Sequence, residues 1–288
     1  MFRPPVNSFL LQIPSVADGT RPAAAWGTSV TPGTNTYGSY ASVLAGASVT
    51  QDVYGILINL NSFATSASAR DALVKIGLDA SGGSSFTDFI SHLLASCAST
   101  YLGSGITTGM GGVWYYFPVF IKAGTSIGAC ASVNNGTVGT GRVAVTLMCQ
   151  PSRPDLIRVG SFVRTFGEDT ANSRGTLVTQ GTVAEGAYTQ LGSALAEPLW
   201  FFEHGCGCNN ATMASGIFHQ DIAIGDASNK RIALLNKVIS ATASETIAKQ
   251  EVLDGFCRGA IGDLVYGRSQ SSAAADANVS MMAYGVGG

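Results

Sequence analysis

The sequence predicts a mainly β protein of two tandem β-sandwich or jelly-roll-like modules from an internal duplication, with one short helix in at least the first. Three observations predict this fold class: segments that recur in order, apolar residues that alternate with period two, and a composition poor in charge. Charged residues make up 12% of the 288 residues, and glycine contributes 36. Soluble proteins average roughly 25% charge, so the composition favours short strands and tight turns over long solvated helices.

The repeat consists of segments of the first half that return, in the same order, in the second half. Their separation shrinks along the chain, as a duplication followed by loop deletions would produce. Two modules also suit a chain of this length, because domains usually span roughly 100–200 residues. We therefore predict an N-terminal arm at residues 1–19, a first module at 20–165 and a second module at 166–288. The recurring pairs are Gly33–Tyr40 with Gly181–Tyr188, Ile76–Ser81 with Ile224–Ser228, Gly124–Ile127 with Gly262–Val265, and Val143–Leu147 with Val279–Ala283.

Most of the apolar residues alternate with polar ones, which is typical of strands that bury one face. Glycine pairs at 82–83 and 111–112 and the tripeptide Asn134–Gly136 indicate turns between such strands. Several short strands separated in this way point to a sandwich or a jelly roll. In the first module the predicted strand residues are Val53, Ile56–Leu60, Val74–Leu78, Val113–Ile121 and Arg142–Leu147.

One stretch has helical spacing instead. The apolar residues of Phe86–Cys97 recur three or four positions apart, which is typical of an amphipathic helix. Ser84 and Ser85 are candidate N-caps, and Asp88 would stand in the first turn, where a negative charge is favourable. We predict a helix here, lying across the end or face of the sandwich. Its counterpart in the second module, Ile232–Ile247, fits either a helix or a strand.

The charge distribution argues against several classes of function. The formal net charge is −2 and the pI is about 5.9. Because the sequence has no run of Lys or Arg, we expect no direct nucleic-acid binding and no attraction to an anionic membrane. No stretch approaches the ~20 apolar residues of a transmembrane helix, so we expect no membrane insertion. The apolar run Phe9–Ile13 is too short for a signal peptide, and we expect synthesis in the cytoplasm.

Six cysteines, at positions 97, 130, 149, 206, 208 and 257, lie mostly in apolar surroundings. We interpret them as buried free thiols. Disulfides formed after release from the cell are the alternative, and the spacing assigns no pairs.

The densest group of potential metal ligands is His204, Cys206 and Cys208, with His219 further along. Two thiolates and two imidazoles would suit tetrahedral zinc. On a strand, the first three residues share one face, which equally suits small side chains packed in a core. Their counterparts in the first half are not metal ligands. We expect no cofactor, and these four residues are the candidate metal site. The counterparts align as Leu57, Asn59 and Asn61.

The sequence predicts that the chain is not an enzyme. A Cys–His nucleophile pair at Cys206 or Cys208 would need a lowered thiol pKa, and few basic residues lie nearby. Asp79 and Asp226 each follow an apolar strand, one in each module. That placement favours capping of a turn over a paired-carboxylate hydrolase, in which both acids must meet at one substrate. Walker and dinucleotide-binding motifs do not occur in the sequence.

Two aromatic clusters stand out, Trp114–Phe117 and Leu199–Phe202. Adjacent residues on a strand face opposite sides, so each cluster turns at least one ring away from its own core. An outward ring serves either a protein interface or a sugar-stacking platform. The interface interpretation is favoured because sugar-binding polar groups are not visibly clustered beside the rings. The interface or glycan candidates are Trp114, Tyr116, Trp200 and Phe202.

The segment Tyr116–Ser132 resembles part of uncharacterised β-sandwich virion structural proteins of tailed bacteriophages. In those proteins a proline and apolar residues lead through Ala-Gly into a Val-rich alternating strand, and Ile76–Gly83 fits the same pattern. The resemblance covers most of the first module and, more faintly, the second. Cys130 departs from the pattern, which commonly has arginine there, and Arg268 holds the matching place in the second module. The resemblance implies a virion component and carries over no catalytic residue.

We therefore expect a structural component of a tailed-phage virion, located at the neck or collar, the tail or the head exterior. Its partners would be copies of itself and other virion proteins. Two similar modules offer similar surfaces to two neighbours, and low charge suits large buried contacts. The arm, with Pro4, Pro5 and Pro14, suits an extended strap onto a neighbouring subunit. The alternative is a receptor- or glycan-binding module of the virion that uses the aromatic residues on a host surface glycan.

Overall fold

The computed structural model describes residues 11–16, 27–61, 70–97, 112–133, 140–149, 158–167, 174–208, 216–242, 245–248, 256–272 and 279–288. This part of the chain is built from β-strands and a single turn of 3₁₀ helix at Gly46–Ser48. In chain order the strands are β1 (Leu11–Pro14), β2 (Thr28–Val30), β3 (Gly33–Thr34), β4 (Ala41–Leu44), β5 (Val53–Asn61), β6 (Arg70–Asp79), β7 (Thr87–Cys97), β8 (Gly112–Phe117), β9 (Ser126–Val133), β10 (Gly141–Cys149), β11 (Phe162–Phe166), β12 (Thr176–Leu177), β13 (Gln180–Gly181), β14 (Thr189–Gln190), β15 (Leu199–Cys208), β16 (Gly216–Gly225), β17 (Lys230–Thr242), β18 (Glu245–Ala248), β19 (Phe256–Gly259), β20 (Leu264–Ser271) and β21 (Val279–Gly287).

The first module consists of two sheets. Sheet I has the strand order β1-β10-β5-β8, and β2 also pairs with β10. Sheet II has the order β3-β9-β6-β7, and β4 also pairs with β9. If β1 and β2 count as one position, and β3 and β4 as another, each sheet has four positions filled by strands from distant parts of the chain. This is the strand arrangement of a jelly roll.

The second module repeats this topology and adds one strand, β18, beside β17. Sheet III has the order β11-β21-β15-β19 with β12 on β21, and sheet IV has the order β13-β20-β16-β17-β18 with β14 on β20. Even the short parallel pairing of β3 with β9 recurs as β13 with β20. The predicted mainly β fold of two tandem jelly-roll-like modules is confirmed, and the shared topology is what an internal duplication produces.

The alternating apolar residues fill the space between the sheets. Ile56 and Ile58 of β5 pair with Leu147 and Val145 of β10, and all four side chains are at most 2% exposed. Complete burial of an aliphatic side chain of this size contributes about 1.5–3 kcal/mol. The period-two pattern therefore locates the core face of these strands correctly.

The backbone geometry shows which residues of the two halves correspond. Gly27 (φ 105°) stands before β2 and faces the carbonyl oxygen of Val143, and Gly175 (φ 99°) stands before β12 and faces that of Met281. Val143 therefore corresponds to Met281. The alignment of Val143 with Val279, made from the sequence, was wrong by two residues, because alternating apolar strands look alike after a shift of two.

The predicted helix at Phe86–Cys97 is wrong, because this stretch is β7 and pairs antiparallel with β6. The pairing register shifts around His92, whose φ is 58°. Extra residues at this β-bulge separate the buried Ile90 and Leu93 by three positions instead of two, so the bulge imitates helical spacing. β17 carries a bulge at the corresponding place, at Asn236 with φ 51°. The ambiguous segment of the second module is therefore a strand as far as Thr242.

The sheets begin earlier than the module boundaries that the repeat indicated. β1 lies inside the range 1–19 assigned to the arm, yet it pairs with β10 in sheet I. β11 begins at Phe162, inside the range 20–165, and pairs with β21 in sheet III. The first sandwich thus includes part of the arm, and the second sandwich starts before residue 166.

The two jelly rolls contact each other through unlike surfaces. The first module contributes β7, which is the edge strand of sheet II, and the side of the sandwich between β7 and β8. The second module contributes the outer face of sheet III. Phe201, Met282, Tyr284 and Val286 of that face are at most 1% exposed and belong to the same apolar cluster as the first module's core. The interface is therefore continuous with the hydrophobic interior of the first sandwich.

Tyr284 lies at the centre of this interface. Its ring is 5.4 Å from that of Tyr115 and 6.1 Å from that of Phe117, edge-on in both cases. Its hydroxyl accepts the N–H of Leu94 at 2.9 Å and donates to the carbonyl oxygen of His92 at 3.0 Å. Both are backbone groups of the edge strand β7, which has no further strand beside it in sheet II. The second module thus supplies hydrogen bonds that a neighbouring strand would otherwise make.

We predict that Tyr284→Phe destabilises the protein by about 1–3 kcal/mol, because it removes the hydroxyl that both backbone groups bond while it keeps the ring packing. Urea unfolding monitored by tryptophan fluorescence measures this. Tyr54→Phe is the control, since the Tyr54 ring is partly exposed and packs 5.7 Å from Phe120. A Tyr284→Phe protein as stable as the control would show that the interface hydrogen bonds contribute no net stability.

We also predict that Gly27→Ala and Gly175→Ala destabilise the protein more than Gly124→Ala and Gly262→Ala. All four glycines have φ between 84° and 105°, where a non-glycine residue costs about 1–3 kcal/mol. A Cβ at Gly27 or Gly175 would also meet a carbonyl oxygen at 2.9 or 2.8 Å, whereas one at Gly124 or Gly262 meets nothing within 4 Å. Urea unfolding of the four variants tests the order, and equal losses would contradict it.

Candidate functional site

The structure does not bring the predicted metal ligands together. His204 and Cys206 lie on β15 and are 2% and 6% exposed. Both pair with core residues of β21. His219 alternates on β16 with the fully buried Phe218 and Gln220, so it lies on the outer face of sheet IV. The side chain of Cys208 is outside the described residues. Within the described ranges, no three His, Cys, Asp or Glu residues are grouped to hold a metal ion.

The strand register also changes the first-half counterparts of these residues. Ile58 pairs with Val145 as His204 pairs with Ala283, and this makes Ile58 the counterpart of His204. Leu60 is the counterpart of Cys206 for the same reason. The alignment with Leu57 and Asn59 was therefore wrong by one residue. The corrected alignment places His204 and Cys206 at positions that are apolar core positions in the first module.

The described cysteines have the properties of buried thiols. Cys130, Cys149, Cys206 and Cys257 are free, and the first three are buried. Burial raises the pKa of Cys130 to about 11 and also raises the pKa values of Cys149 and Cys257. A cysteine nucleophile needs a shift in the opposite direction. The sulfur of Cys206 lies 3.0 Å from the side-chain amide nitrogen of Gln220, inside the second sandwich.

One motif of catalytic type escaped the sequence reasoning. Gly124–Gly128 has the pattern G-x-S-x-G, which in hydrolases places the serine on a sharp turn from a strand into a helix. Here Ser126 is the first residue of strand β9, is 1% exposed, and accepts the N–H of Gly46 at 2.8 Å through its hydroxyl. The hydroxyl anchors the 3₁₀ turn, and the strand context does not match a nucleophile elbow.

Asp79 and Asp226 cap turns, as predicted. The carboxylate of Asp79 accepts hydrogen bonds from the N–H and hydroxyl of Ser81 and from the N–H of Ser85, at 2.6–2.9 Å. These bonds, with that of the Ser81 hydroxyl first, lower the pKa of Asp79. Asp226 accepts the N–H groups of Ser228 and Asn229 at 2.7 and 2.6 Å. Each acid closes the turn that follows the corresponding strand of its module.

The candidate aromatic residues of the first cluster lie on the outer face of sheet I. Trp114 and Tyr116 of β8 pair with Asn59 and Leu57 of β5 on that face. Tyr116 is 6% exposed, and its ring meets the ring of Phe201 edge-on at 6.2 Å. Trp114 is partly exposed. Tyr116 therefore packs against the second module of the same chain.

The second aromatic cluster is buried on both sides of sheet III. Phe202 is 0% exposed and belongs to the core of the second sandwich. Trp200 is 3% exposed and belongs, with Phe201, to the cluster shared with the first module. Each cluster thus has rings on both faces of its strand, and the rings facing away from their own sandwich are covered largely by the other module. Three of the four glycan or interface candidates, Tyr116, Trp200 and Phe202, are buried within the chain.

A cluster of charged residues lies on the outer side of sheet IV beside the β17 bulge. Asp221 is 2% exposed and accepts hydrogen bonds from the Arg268 Nε at 2.8 Å and from the N–H of Asn236 at 2.6 Å. Arg268 also forms an ion pair with Glu185 at 2.5 Å. Burial and the neighbouring Asp221 carboxylate raise the pKa of Glu185, against the opposing effect of Arg268. The Asp221 carboxylate therefore binds both the backbone N–H of Asn236 in the bulge and the guanidinium of Arg268.

The corresponding positions of the first module carry different chemistry. Lys75 on β6 corresponds to Asp221, and Cys130 on β9 corresponds to Arg268. Lys75 forms an ion pair with Asp88, whose other carboxylate oxygen accepts the Tyr40 hydroxyl at 2.6 Å. Burial opposes ionisation of Asp88, but the bonds from Lys75 and Tyr40 hold its pKa below the usual value. Because unrelated side chains occupy matching places, we interpret both clusters as supports for the bulges.

The described residues also form an open cleft of about 440 Å³ between β11 and the segment 191–199. Arg164 and Glu197 are the ionisable residues among those that line it, and they pair with each other at 3.1 Å at its exposed rim. Backbone and small or aliphatic side chains make up most of the remaining wall. The two ionisable side chains of this cleft are therefore engaged with each other.

Four large apolar side chains are exposed together on the outer side of β16 and β17. We name them the β17 stripe: Ile217 is 51% exposed, Ile232 46%, Leu235 57% and Val238 51%. Val238 pairs with His219, two residues from Ile217 on β16. Exposed apolar groups that cluster in this way mark surfaces that bind other molecules. The sequence reasoning missed this surface because the segment had not been assigned as a strand.

Comparison with known proteins does not assign the chain to a family. No family model matches it, and no curated protein matches it. PNGF-II is 9% identical over 97% of this chain and 66% of its own length, with a TM-score of 0.37. Tripeptidyl peptidase 2 (9% identity, 90% and 22% covered, TM-score 0.24) and the PBSX exported protein XepA (10% identity, 90% and 84% covered, TM-score 0.20) are weaker matches. The chain thus spans just under two thirds of PNGF-II. These scores are too low to support any argument about fold or activity.

The described part of the chain consists of two jelly-roll-like modules that contact each other through a strand edge of one and a sheet face of the other. Across the described ranges, no helix has the length and apolar character needed to cross a membrane. At corresponding positions beside the bulges, the two modules carry side chains of different charge and chemistry, Lys75 and Cys130 in the first and Asp221 and Arg268 in the second. The strands and bulges that carry these side chains correspond.

We predict that Arg268→Met destabilises the protein by about 3 kcal/mol at pH 7, because it leaves the buried Asp221 carboxylate without its cation. Loss of the arginine removes the charge that opposes the raised pKa of Glu185, so the pKa of that carboxyl in the folded state rises further above its value in the unfolded chain. The folded state then binds protons more readily, so the deficit shrinks as the pH falls towards 5. Urea unfolding at the two pH values measures this.

Arg164→Met is the control for that experiment, since both Arg164 and its partner Glu197 are largely exposed. An exposed pair of this kind contributes about 0–1 kcal/mol. A loss in Arg268→Met no larger than in the control, or one that does not depend on pH, would contradict the assignment of a buried ion pair.

Proposed function

We propose that this chain is a structural component of a tailed-phage virion that acts through contacts between subunits. The observation that carries the proposal is the contact between the two modules: one copy of the fold binds the next through two unlike surfaces. A contact of this kind is heterologous, and when it is repeated between subunits it generates rings or filaments. The contact between the two modules within the chain is one contact of this heterologous kind.

The distribution of charge supports a function based on protein contacts. Only 12% of residues are charged, and the described surface includes apolar groups such as the β17 stripe. Obligate interfaces between subunits are more apolar than ordinary protein surface and commonly exceed 2,000 Å². A chain with few charges and exposed sheet faces suits an environment in which much of its surface is covered.

The virion is proposed because the segment Tyr116–Ser132 resembles structural proteins of tailed phages. This segment holds the last two residues of β8, the connection after it and most of β9, so the resemblance lies in a part that contributes to both sheets of the first sandwich. The proposed location is the neck or collar, the tail or the head exterior. The proposed partners are copies of the chain and other virion proteins.

Purification of the full chain and of particles from a lysate of the encoding phage tests this proposal. We expect sedimentation velocity to show an oligomer at micromolar concentration, and mass spectrometry of the particles to find the chain at a fixed copy number. A chain that sediments as a monomer at every concentration and is absent from purified particles would refute the proposed function.

A further inference from the structure

The β17 stripe occupies the place by which the first module binds the second. Leu94 of β7 pairs with Leu73 of β6, and Val238 of β17 pairs with His219 of β16, in the same register relative to the bulge. Leu94 and Val238 are therefore corresponding residues. Leu94 is 1% exposed because the second module covers it, whereas Val238 is 51% exposed. The same surface is thus covered in one module and open in the other.

A second pair of residues shows the same relation. Ser91 precedes the bulge residue His92, and Leu235 precedes the bulge residue Asn236. The carbonyl oxygen of Ser91 accepts the hydroxyl of Thr165 from the second module at 2.7 Å. Leu235 is 57% exposed. The duplication has therefore placed a large apolar side chain where the first module has a small polar residue at the interface.

We infer that the β17 stripe docks on the outer face of sheet I of a second copy of this chain, in the way that β7 docks on the outer face of sheet III. This inference rests on the proposed function and names the surface and the partner. The partner is a second copy because sheet I is the counterpart of sheet III, so every chain carries both the stripe and the face that corresponds to its receptor. The contact is head to tail and continues from copy to copy.

The strand register predicts which residues meet across this contact. Thr146 of β10 corresponds to Tyr284 of β21, and Pro14 of β1 corresponds to Thr165 of β11. Val238 should therefore lie near Thr146 of the next copy, and Leu235 near Pro14. Pro14 is exposed and Thr146 is partly exposed, so both are accessible to a partner.

The chemistry of the two pairs fits a contact between apolar surfaces. Ser91 and Thr165 interact within the chain through a hydrogen bond, whereas Leu235 and Pro14 would interact by apolar burial. The outer face of sheet I is also free of charge except for Arg142 at one end, which bonds the carbonyl oxygen of Gly27. Of its described outward residues, Ala144, Asn59 and Tyr116 are buried, Tyr116 against Phe201 of the same chain, so the part open to a partner is the remainder. That part consists of Gln12, Pro14, Thr146, Met148, Leu57 and Trp114, which are exposed or partly exposed.

β18 pairs with the C-terminal end of β17, at Ser240 and Thr242, and the part of β17 before it favours docking by side chains over addition of a strand. The bulge at Asn236 interrupts the regular edge, and Lys237 follows it. Bulges and lysines on edge strands hinder pairing with a further strand. β7 has a bulge in the same place and is likewise bound through side chains of the second module, Tyr284 and Thr165.

Sedimentation velocity of the full chain with Leu235→Glu and Val238→Glu tests the surface. We expect the double variant to associate at least tenfold more weakly than the wild type, while Val183→Glu with Ile261→Glu assembles normally. The control residues are 93% and 68% exposed and lie outside the stripe. Unchanged thermal unfolding of the dissociated variant would show that the loss of assembly is not a loss of folding. A stripe variant that assembles like the wild type would overturn the inference and leave the proposed function standing.

Thiol cross-linking tests the partner surface. With a short bifunctional thiol reagent, Pro14→Cys combined with Leu235→Cys should give a ladder of covalent multimers, and each single variant should not. Cross-linked dimers from Leu235→Cys alone would show that the stripe binds itself, which contradicts a head-to-tail contact. A wild type that is monomeric throughout would overturn this contact, and it would refute the proposed function as well only if the chain were also absent from purified particles.

Discussion

The edge strand β7 needs cover and hydrogen-bond partners that its own sandwich does not provide, and the second module provides both. Tyr284 places a hydroxyl between the N–H of Leu94 and the carbonyl oxygen of His92 and packs its ring against Tyr115. An uncovered edge with exposed polar groups is a site for unwanted pairing. The contact between the modules therefore completes the first sandwich, and the hydrophobic interior of that sandwich extends into the second module without interruption.

The duplication preserved backbone geometry more strictly than side-chain chemistry. Both halves keep a bulge on the corresponding strands β7 and β17, at His92 and at Asn236. The residue that faces this bulge from the neighbouring strand is Lys75 in one half and Asp221 in the other. Each recruits its own partners, Asp88 in the first case and Arg268 in the second. Selection for strand pairing and bulge position explains this, since the two clusters share no reacting group that a common chemistry would require.

The fold class could be predicted from the sequence because it rests on two patterns. The period-two alternation depends only on neighbouring residues, and the ordered repeat appears when two segments of the chain are compared. The prediction of a helix at Phe86–Cys97 was wrong, because the bulge at His92 separates Ile90 from Leu93 by three residues and so imitates helical spacing. Alternation along a strand correctly predicted that each aromatic cluster turns rings to both sides, but the candidate Phe202 was wrong, because it lies in the core of its own sandwich and Phe201 faces the other module. That Tyr116 meets Phe201 of the other module could not be predicted, because it depends on how two sandwiches pack. The β17 stripe was missed because the bulge at Asn236 interrupts the period-two pattern of β17, as the bulge at His92 does in β7.

The asymmetry between β7 and β17 lies in what covers each strand. The first module finds a receptor face in the second module, whereas the corresponding surface of the second module, at Val238, is left open by the described residues. That surface could have become polar, as an exposed edge usually does. Instead Ser91 corresponds to Leu235, and the buried Leu94 corresponds to the exposed Val238. An apolar side chain kept in water at that position gains free energy only when another surface covers it, and a neighbouring copy of the same chain presents the matching face.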